Sequence, residues 1–205
     1  MPRPKQADPL ARRQILAAAL TVFSRTGYAG TTLDDITAEA NLSKGAIYWY
    51  FDNKADLFAT LLGERASIFS ELLEDAAKHA TGPLGGLEAM WLRWMEALEN
   101  DPGYQAYARL AHLRVEVADE PAKSMEARRT EERRAQALVT EWLLSAIAAR
   151  ELPATLDVEA AALSFVGVGS GLVRAWLLVP ETFSPRAIAP RLWRMLVAGW
   201  KGMQQ

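Results

Sequence analysis

Cysteine is absent from the 205 residues, and histidine occurs only twice. The first absence excludes disulfide frameworks, cysteine nucleophiles and thiolate metal sites, and it suits a reducing cytoplasm. Two histidines leave a transition metal dependent on carboxylates, which here show no ligand spacing, so neither a metal nor a cofactor is expected. Sustained alternation of apolar and polar residues is also missing, which removes the usual signal of half-buried strands. The opening MPRPKQADPLARR has no apolar core of the kind a signal peptide needs. The most apolar run, Ala160 to Val173, is followed by Arg174; it is short for a bilayer span and reads as a buried helix. A nucleophile elbow, a P-loop and a GxGxxG fingerprint are lacking, which argues against an enzyme. These absences point to a cytoplasmic protein with no membrane partner.

What is present is helical. Half the residues are hydrophobic, rich in Ala and Leu, and the fold class expected is all-α. Net charge is −2, unevenly placed: residues 1–55 hold seven Lys/Arg against five Asp/Glu, and the remainder sixteen against twenty. The mildly basic end permits a nucleic-acid partner without demanding one. Asp8 followed by Pro9 opens a first helix, with Ile15, Leu16, Ala19, Leu20 and Phe23 as its inner stripe and Gly27 as its stop. Arg3, Lys5, Arg12 and Arg13 precede or open it and would add counterion-release affinity beside DNA.

The most informative segment is Thr32 to Phe58. Thr32 caps a second helix, with Asp35 three residues on in a capping-box arrangement. Asn41 suits a left-handed turn, Ser43 caps a third helix, and Asn53 caps a fourth with Asp56 at its third position. The third helix is small at its front (Lys44, Gly45, Ala46) and aromatic at its back (Tyr48, Trp49, Tyr50, Phe51). That is the pattern of a helix-turn-helix whose second helix enters the major groove, N-terminal residues first. Small residues let the backbone approach base edges and phosphates. Lys44 can bond guanine O6/N7 or neutralise a phosphate. Tyr48 and Tyr50 carry hydroxyls suited to phosphate oxygens, Thr32 offers another, and Lys54 could grip a phosphate at the start of helix four. Ile47 and Phe51 belong to the core; Trp49 could face either way. The candidate DNA-binding set is Thr32, Ser43, Lys44, Gly45, Ala46, Tyr48, Tyr50 and Lys54.

The features Gly27-Tyr28, Thr31-Thr32, Ile36-Thr37, Ala40, the run Lys44 to Phe51, and Lys54 with Leu57 resemble the tetracycline-repressor (TetR) family of transcriptional regulators. The resemblance implies operator contacts, mostly to phosphates, from Thr32, Lys44, Gly45, Tyr48, Tyr50 and Lys54. Tyr50 departs from the histidine that relatives often carry. A weaker stretch, Leu152-Pro153 to Asp157 with Ser170-Gly171-Leu172, Trp176-Leu177-Leu178 and Pro180-Glu181, is similar to the AcrR-type multidrug-efflux repressors. The implied organisation is a three-helix DNA-binding domain over 1–55 and a helical ligand-binding and dimerisation domain over 56–205.

Helix four is expected over Lys54 to about Lys78, a linker at Thr81 to Gly86, and further helices near 87–100, 103–118, 122–150, 157–179 and 186–202. Asp101-Pro102-Gly103, Asp119-Glu120-Pro121, Leu152-Pro153 and Val179-Pro180 supply the breaks. Arg128 and Glu132 are spaced to pair within the charged run from Glu126 to Arg134. The family resemblance implies homodimerisation through the last two helices, with Val158, Ala162, Val166, Gly169 and Val173 on one and Leu192, Met195, Leu196 and Gly199 on the other. An apolar pocket for a small hydrophobic or aromatic effector would draw on Trp91, Trp94, Met95, Tyr107, His112, Trp142, Phe165 and Ser170. Plain core packing competes for each tryptophan. The function expected is a ligand-responsive repressor of a pseudo-palindromic double-stranded operator. The alternative is a regulator of a catabolic or fatty-acid-type gene with another effector class.

Overall fold

A computed structural model describes residues 8–114 and 122–202. Arg3, Lys5 and the Asp119-Glu120-Pro121 break lie outside the described residues. Among those described there is no strand. The helices are α1 (Pro9–Thr26), α2 (Leu33–Ala40), α3 (Lys44–Tyr50), α4 (Lys54–Lys78), α5 (Gly82–Asn100), α6 (Pro102–Arg109), α7 (Ala122–Ala148), α8 (Val158–Leu178) and α9 (Pro185–Gly202). A π-helical turn, Leu110–Arg114, continues α6, and a 3-10 turn, Pro180–Thr182, precedes α9.

Two compact units emerge: one is formed by 1–66 and 106–130, the other by 67–105 and 131–205. The first does not stop at residue 55. Leu57, Phe58, Leu61 and Leu62 of α4 and Leu110 of the π turn lie in the same apolar core as Ile15, Phe23, Ile36, Ile47 and Phe51. Phe58 packs edge-on to Phe23 at 4.9 Å between ring centroids, and Tyr28 lies 4.9 Å from Phe58 and 6.1 Å from Phe23, closing a cluster of three rings. The start of α4 and Leu110 complete the core that α1, α2 and α3 leave open.

Local signals for helix ends hold. Asp8 accepts from the Leu10 amide at 2.9 Å, and Asn53 from the Asp56 amide at 2.9 Å. Asn41 adopts the left-handed conformation (φ 50°, ψ 45°) that closes α2. Gly27, at φ 73°, returns its amide to the Phe23 carbonyl. One sequence expectation fails: Thr81 to Gly86 is not a linker, because α5 begins at Gly82. The side chain of Glu151 accepts from the Leu84 amide at 2.7 Å, supplying from far along the chain the cap that the local sequence lacks.

In the second unit α5 packs along α9 and touches α8. Trp91, Met95, Ala162, Phe165 and Val173 are buried. Trp91 and Phe165 meet edge to face at 5.4 Å, and Phe165, Trp193 and Trp200 continue the aromatic series. Gly86 and Gly169 are seats for indole rings. A Cβ at Gly86 would fall 2.2 Å from Trp142, and one at Gly169 would fall 2.2 Å from Trp94. Glu99 fastens the start of α9, accepting from the Ser184 hydroxyl at 2.6 Å and the Arg186 amide at 3.0 Å.

Candidate nucleic-acid interface

The candidate face is built by α2 and α3 of the first unit. Helix α2 is held by a complete capping box: the Thr32 amide donates to Asp35 at 2.8 Å and the Asp35 amide donates to the Thr32 hydroxyl at 3.1 Å. That hydroxyl also donates to the Asp35 carboxylate at 2.7 Å, and these bonds hold the carboxyl below its ordinary range. For Thr32 to donate to a phosphate, its proton must turn away from Asp35. Gln14 reaches the Ala40 carbonyl at 2.7 Å and fixes α1 to the end of α2.

Helix α3 presents its front outward. Ser43 stands at the N-cap with no capping bond from its hydroxyl. Lys44 and Gly45 are exposed and Ala46 is half-buried, while Ile47 and Phe51 are in the core. A Cβ at Gly45 would meet only Ser43 Oγ, at 3.8 Å, so nothing inside the protein requires a glycine there. Glycine in a helix is unfavourable by about 1 kcal/mol relative to alanine. Its smallness therefore serves no packing within the chain.

At the back of the helix, Tyr48 is exposed, and Trp49 is exposed as well, which settles the side on which it lies. Tyr50 is half-buried against the core, and its hydroxyl donates to the Asp8 carbonyl at 3.1 Å. Its phenol thus ties α3 to the start of α1 in the free protein.

Lys54 differs from the phosphate grip expected of it. Its ammonium is turned inward, donating to the carbonyls of Tyr28 and Thr31, each at 2.8 Å, and lying 4.3 Å from the centre of the Tyr28 ring. Burial pushes its pKa down. The side chain clamps the 28–31 turn that leads into α2. The sequence showed a cation at a helix start, but not the two carbonyls that the turn aims at it.

Sequence reasoning missed Asp34. It pairs with Lys44 at 2.8 Å on the same open face, and this bond raises the lysine pKa. Ten residues separate the two, so no helical spacing rule could have matched them.

The effector-pocket candidates are divided between the units. Trp91, Trp94, Met95, Trp142, Phe165 and Ser170 belong to the second, Tyr107 and His112 to the first. Trp91, Trp94, Met95 and Phe165 are core residues; the Trp91 indole donates to the Ala189 carbonyl at 2.9 Å and that of Trp94 to the Tyr104 hydroxyl at 2.6 Å. Trp142 and Ser170 are half-buried, Tyr107 packs on the first unit's core, and His112 sits half-buried in the π turn. Arg128 donates to the Ala111 carbonyl at 3.1 Å, and Arg129 stands 3.9 Å from Glu126. Among the described residues no cluster of His, Asp or Glu has metal-binding geometry.

The dimer-face candidates on α8 need correction. Ala162, Val166, Gly169 and Val173 are buried within the protomer, and Val158 is half-buried. The stripe is real but faces the chain's own α5 and α9. A second apolar stripe is exposed instead: Ala160, Leu163, Gly167, Gly171 and Leu178, broken by Arg174. On α9, Met195 and Gly199 are exposed while Leu192 and Leu196 are half-buried. Helix α8 runs 21 residues, longer than its uninterrupted apolar run indicated. By length and composition alone it could cross a membrane, and a third of its most apolar window is buried.

Comparison with known proteins places this geometry. Residues 15–61 match the family model for the N-terminal region of tetR-family bacterial regulatory proteins, and residues 82–200 match that for the C-terminal region of MAATS-type transcriptional repressors. The chain is 31% identical over 181 residues to the HTH-type transcriptional regulator TtgR of Pseudomonas putida, covering 88% of this chain and 86% of the relative. It is 32% identical over 180 residues to AcrR of Shigella flexneri, covering 87% and 84%. The fold is that of SmeT, described as repressor of a Stenotrophomonas maltophilia multidrug efflux pump, in its triclosan complex: TM-score 0.83, 24% identity, covering 95% and 93%. A helix-turn-helix head with an exposed recognition helix, joined to a helical C-terminal region, defines a DNA-binding transcriptional regulator. The chain belongs to the TetR family, among relatives of the AcrR type.

Proposed function

We propose that the protein is a cytoplasmic homodimeric repressor that grips a pseudo-palindromic operator with two copies of α3 and releases it on binding a small hydrophobic or aromatic effector. The observation that carries the DNA reading is Gly45, a glycine with open space around it between exposed Lys44 and Tyr48. Close approach of a duplex is what such a surface serves. Ser43, Lys44, Gly45 and Tyr48 take the leading contacts, with Thr32, Ala46 and Tyr50 at the rim. Trp49 joins them, and Lys54 acts by holding the turn.

Dimerisation through α8 and α9 is supported by Leu163, Leu178 and Met195, which are 53%, 61% and 69% exposed. Around them Gly167, Gly171 and Gly199 leave open space for a second backbone. An isologous pairing of these helices would set the two heads against a two-fold-related site. Leu163→Glu is expected to give a monomer in sedimentation.

An aromatic-rich C-terminal region and the efflux-pump repressors among its relatives support an aromatic effector. Release would follow from the effector's different affinity for two conformations, with α4, whose residues contribute to both units, carrying the shift. The test is binding of purified protein to the DNA upstream of its own coding sequence at several salt concentrations. A panel of hydrophobic cations, phenols, flavonoid-like compounds and fatty-acyl compounds follows. Specific binding abolished by one aromatic compound is expected. Release by a fatty-acyl compound alone would reassign the effector class, and binding that persists at saturation with every bound compound would overturn the release step.

A further inference from the structure

Lys44 is the sole cation of α3, yet in the free protein it is already occupied. Its Nζ lies 2.8 Å from Oδ1 and 2.9 Å from Oδ2 of Asp34. Both side chains are more than half exposed, at 53% and 67%, so the pair sits on the open face and not in the core. Exposed pairs add little to stability, and α2 is held without it by the Thr32–Asp35 box and by buried Ile36 and Ala40.

Three other cations of the head are also engaged. Arg12 pairs with Glu64, Arg25 stands 3.6 Å from Glu39, and Lys54 serves two carbonyls. From residue 32 to residue 54 the chain carries two lysines against four acids, Asp34, Asp35, Glu39 and Asp52. Proteins that bind any duplex draw their affinity from cations that displace counterions at phosphates. Here the lysine at the tip of the recognition helix is neutralised before DNA arrives.

We infer that Asp34 is a specificity-determining residue: by holding Lys44 in a neutral pair it suppresses phosphate binding and reserves the ammonium for base edges. The inference rests on the DNA reading above. Moving Lys44 from Asp34 to a phosphate exchanges one anion for another and leaves the Asp34 carboxylate facing the duplex, so random DNA gains little. A guanine makes no such demand. The ammonium has three N–H donors and can serve O6 or N7 while keeping a bond to Asp34. Each carboxylate oxygen keeps a lone pair beyond the one turned to Lys44, and one of them can accept from a cytosine N4 amino group. The pair acts as a joined donor and acceptor, matched to a G·C-containing edge and mismatched to the backbone.

The experiment compares wild type, Asp34→Asn, Lys44→Ala and the double variant. Each is titrated on a random-sequence duplex and on the upstream duplex, at 50 and 200 mM salt. Thermal melting confirms that each variant is folded. Asp34→Asn frees Lys44, so its affinity for the random duplex should rise. Its log–log salt slope should steepen by about 0.9 per head, so that the gain shrinks about 3.5-fold per head between the two salt concentrations. The ratio of upstream to random affinity should fall, and the double variant should lose the gain. An Asp34→Asn protein with unchanged affinity and slope on random DNA overturns the inference. So does a gain that survives removal of Lys44, which would mark general charge repulsion. A wild type without preference for any duplex would instead defeat the operator reading, a failure seen in the wild-type titrations alone.

Discussion

Gly169→Ala should destabilise the second unit even though alanine is the better helix former. A methyl at this position of α8 would lie 2.2, 2.4 and 2.9 Å from three carbons of the Trp94 ring. Carbon atoms pack at about 3.5–4.0 Å, so the ring must retreat by roughly 1 Å or more. It is poorly placed to do so: Trp94 is 8% exposed, and it packs at 6.3 Å from Trp91 and 6.4 Å from Phe165 between ring centroids. Its indole is held to Tyr104 at 2.6 Å. Overpacking of this kind costs about 1–3 kcal/mol, and loss of the indole bond adds about 1 kcal/mol. Removing a mid-helix glycine returns about 1 kcal/mol. The net is a loss of about 2 kcal/mol, or a fall in Tm of about 4–8 °C for a chain of this size. Far-UV circular dichroism melts at fixed protein concentration read it directly. Gly63→Ala in α4 is the control, since its Cβ would meet nothing within 4 Å and its Tm should rise by about 2–4 °C. Adding Trp94→Leu should make Gly169→Ala far less harmful than it is alone. If Gly169→Ala melts at or above the wild type, Trp94 is not seated on this glycine and the account of the α5–α8 contact is wrong.

Lys54→Met keeps the side-chain stem but strips two carbonyls of their donor; a loss of about 1–3 kcal/mol is expected in a denaturant titration, and full stability would refute the clamp. Gly45→Ala should leave the fold as stable or more stable by up to about 1 kcal/mol while weakening duplex binding, a separation that melting and titration of one preparation can show. The Ser184 hydroxyl, and after it the Arg186 amide, holds the Glu99 carboxyl below its ordinary range. The stabilisation is therefore present above the usual carboxylate pKa and lost as pH falls through the lowered one. Glu99→Gln should accordingly show a smaller drop in Tm between about pH 6 and pH 3 than the wild type, and equal drops would sink the assignment.

The ends of α1 and α2 and the start of α4 were legible in the residues because each is decided within three or four positions. Asp8, Thr32 with Asp35, Asn41 and Asn53 all do in space what their local chemistry announced. The exposed front of α3 was legible for the same reason: Lys44, Gly45 and Tyr48 stand out against the apolar positions Ile47 and Phe51. Where a signal depended on a distant partner, reading along the chain misled. The glycines and proline at 82–86 looked like a linker until Glu151 capped them into α5. Helix α8 is apolar nearly all round, so periodicity found a stripe but could not say which side the chain itself would cover.

The all-helical class and the starts of α1 to α4 follow from the residues alone, because hydrogen-bonded caps and 3.6-residue periodicity are local properties. That Lys54 turns inward, that Asp34 takes Lys44, that Gly169 receives an indole and that the head's core extends to Leu62 and Leu110 are settled by contacts in space. Those outcomes depend on groups brought together from ten to more than ninety residues apart, where packing and the demand of each buried donor for an acceptor choose among faces that the sequence leaves equivalent.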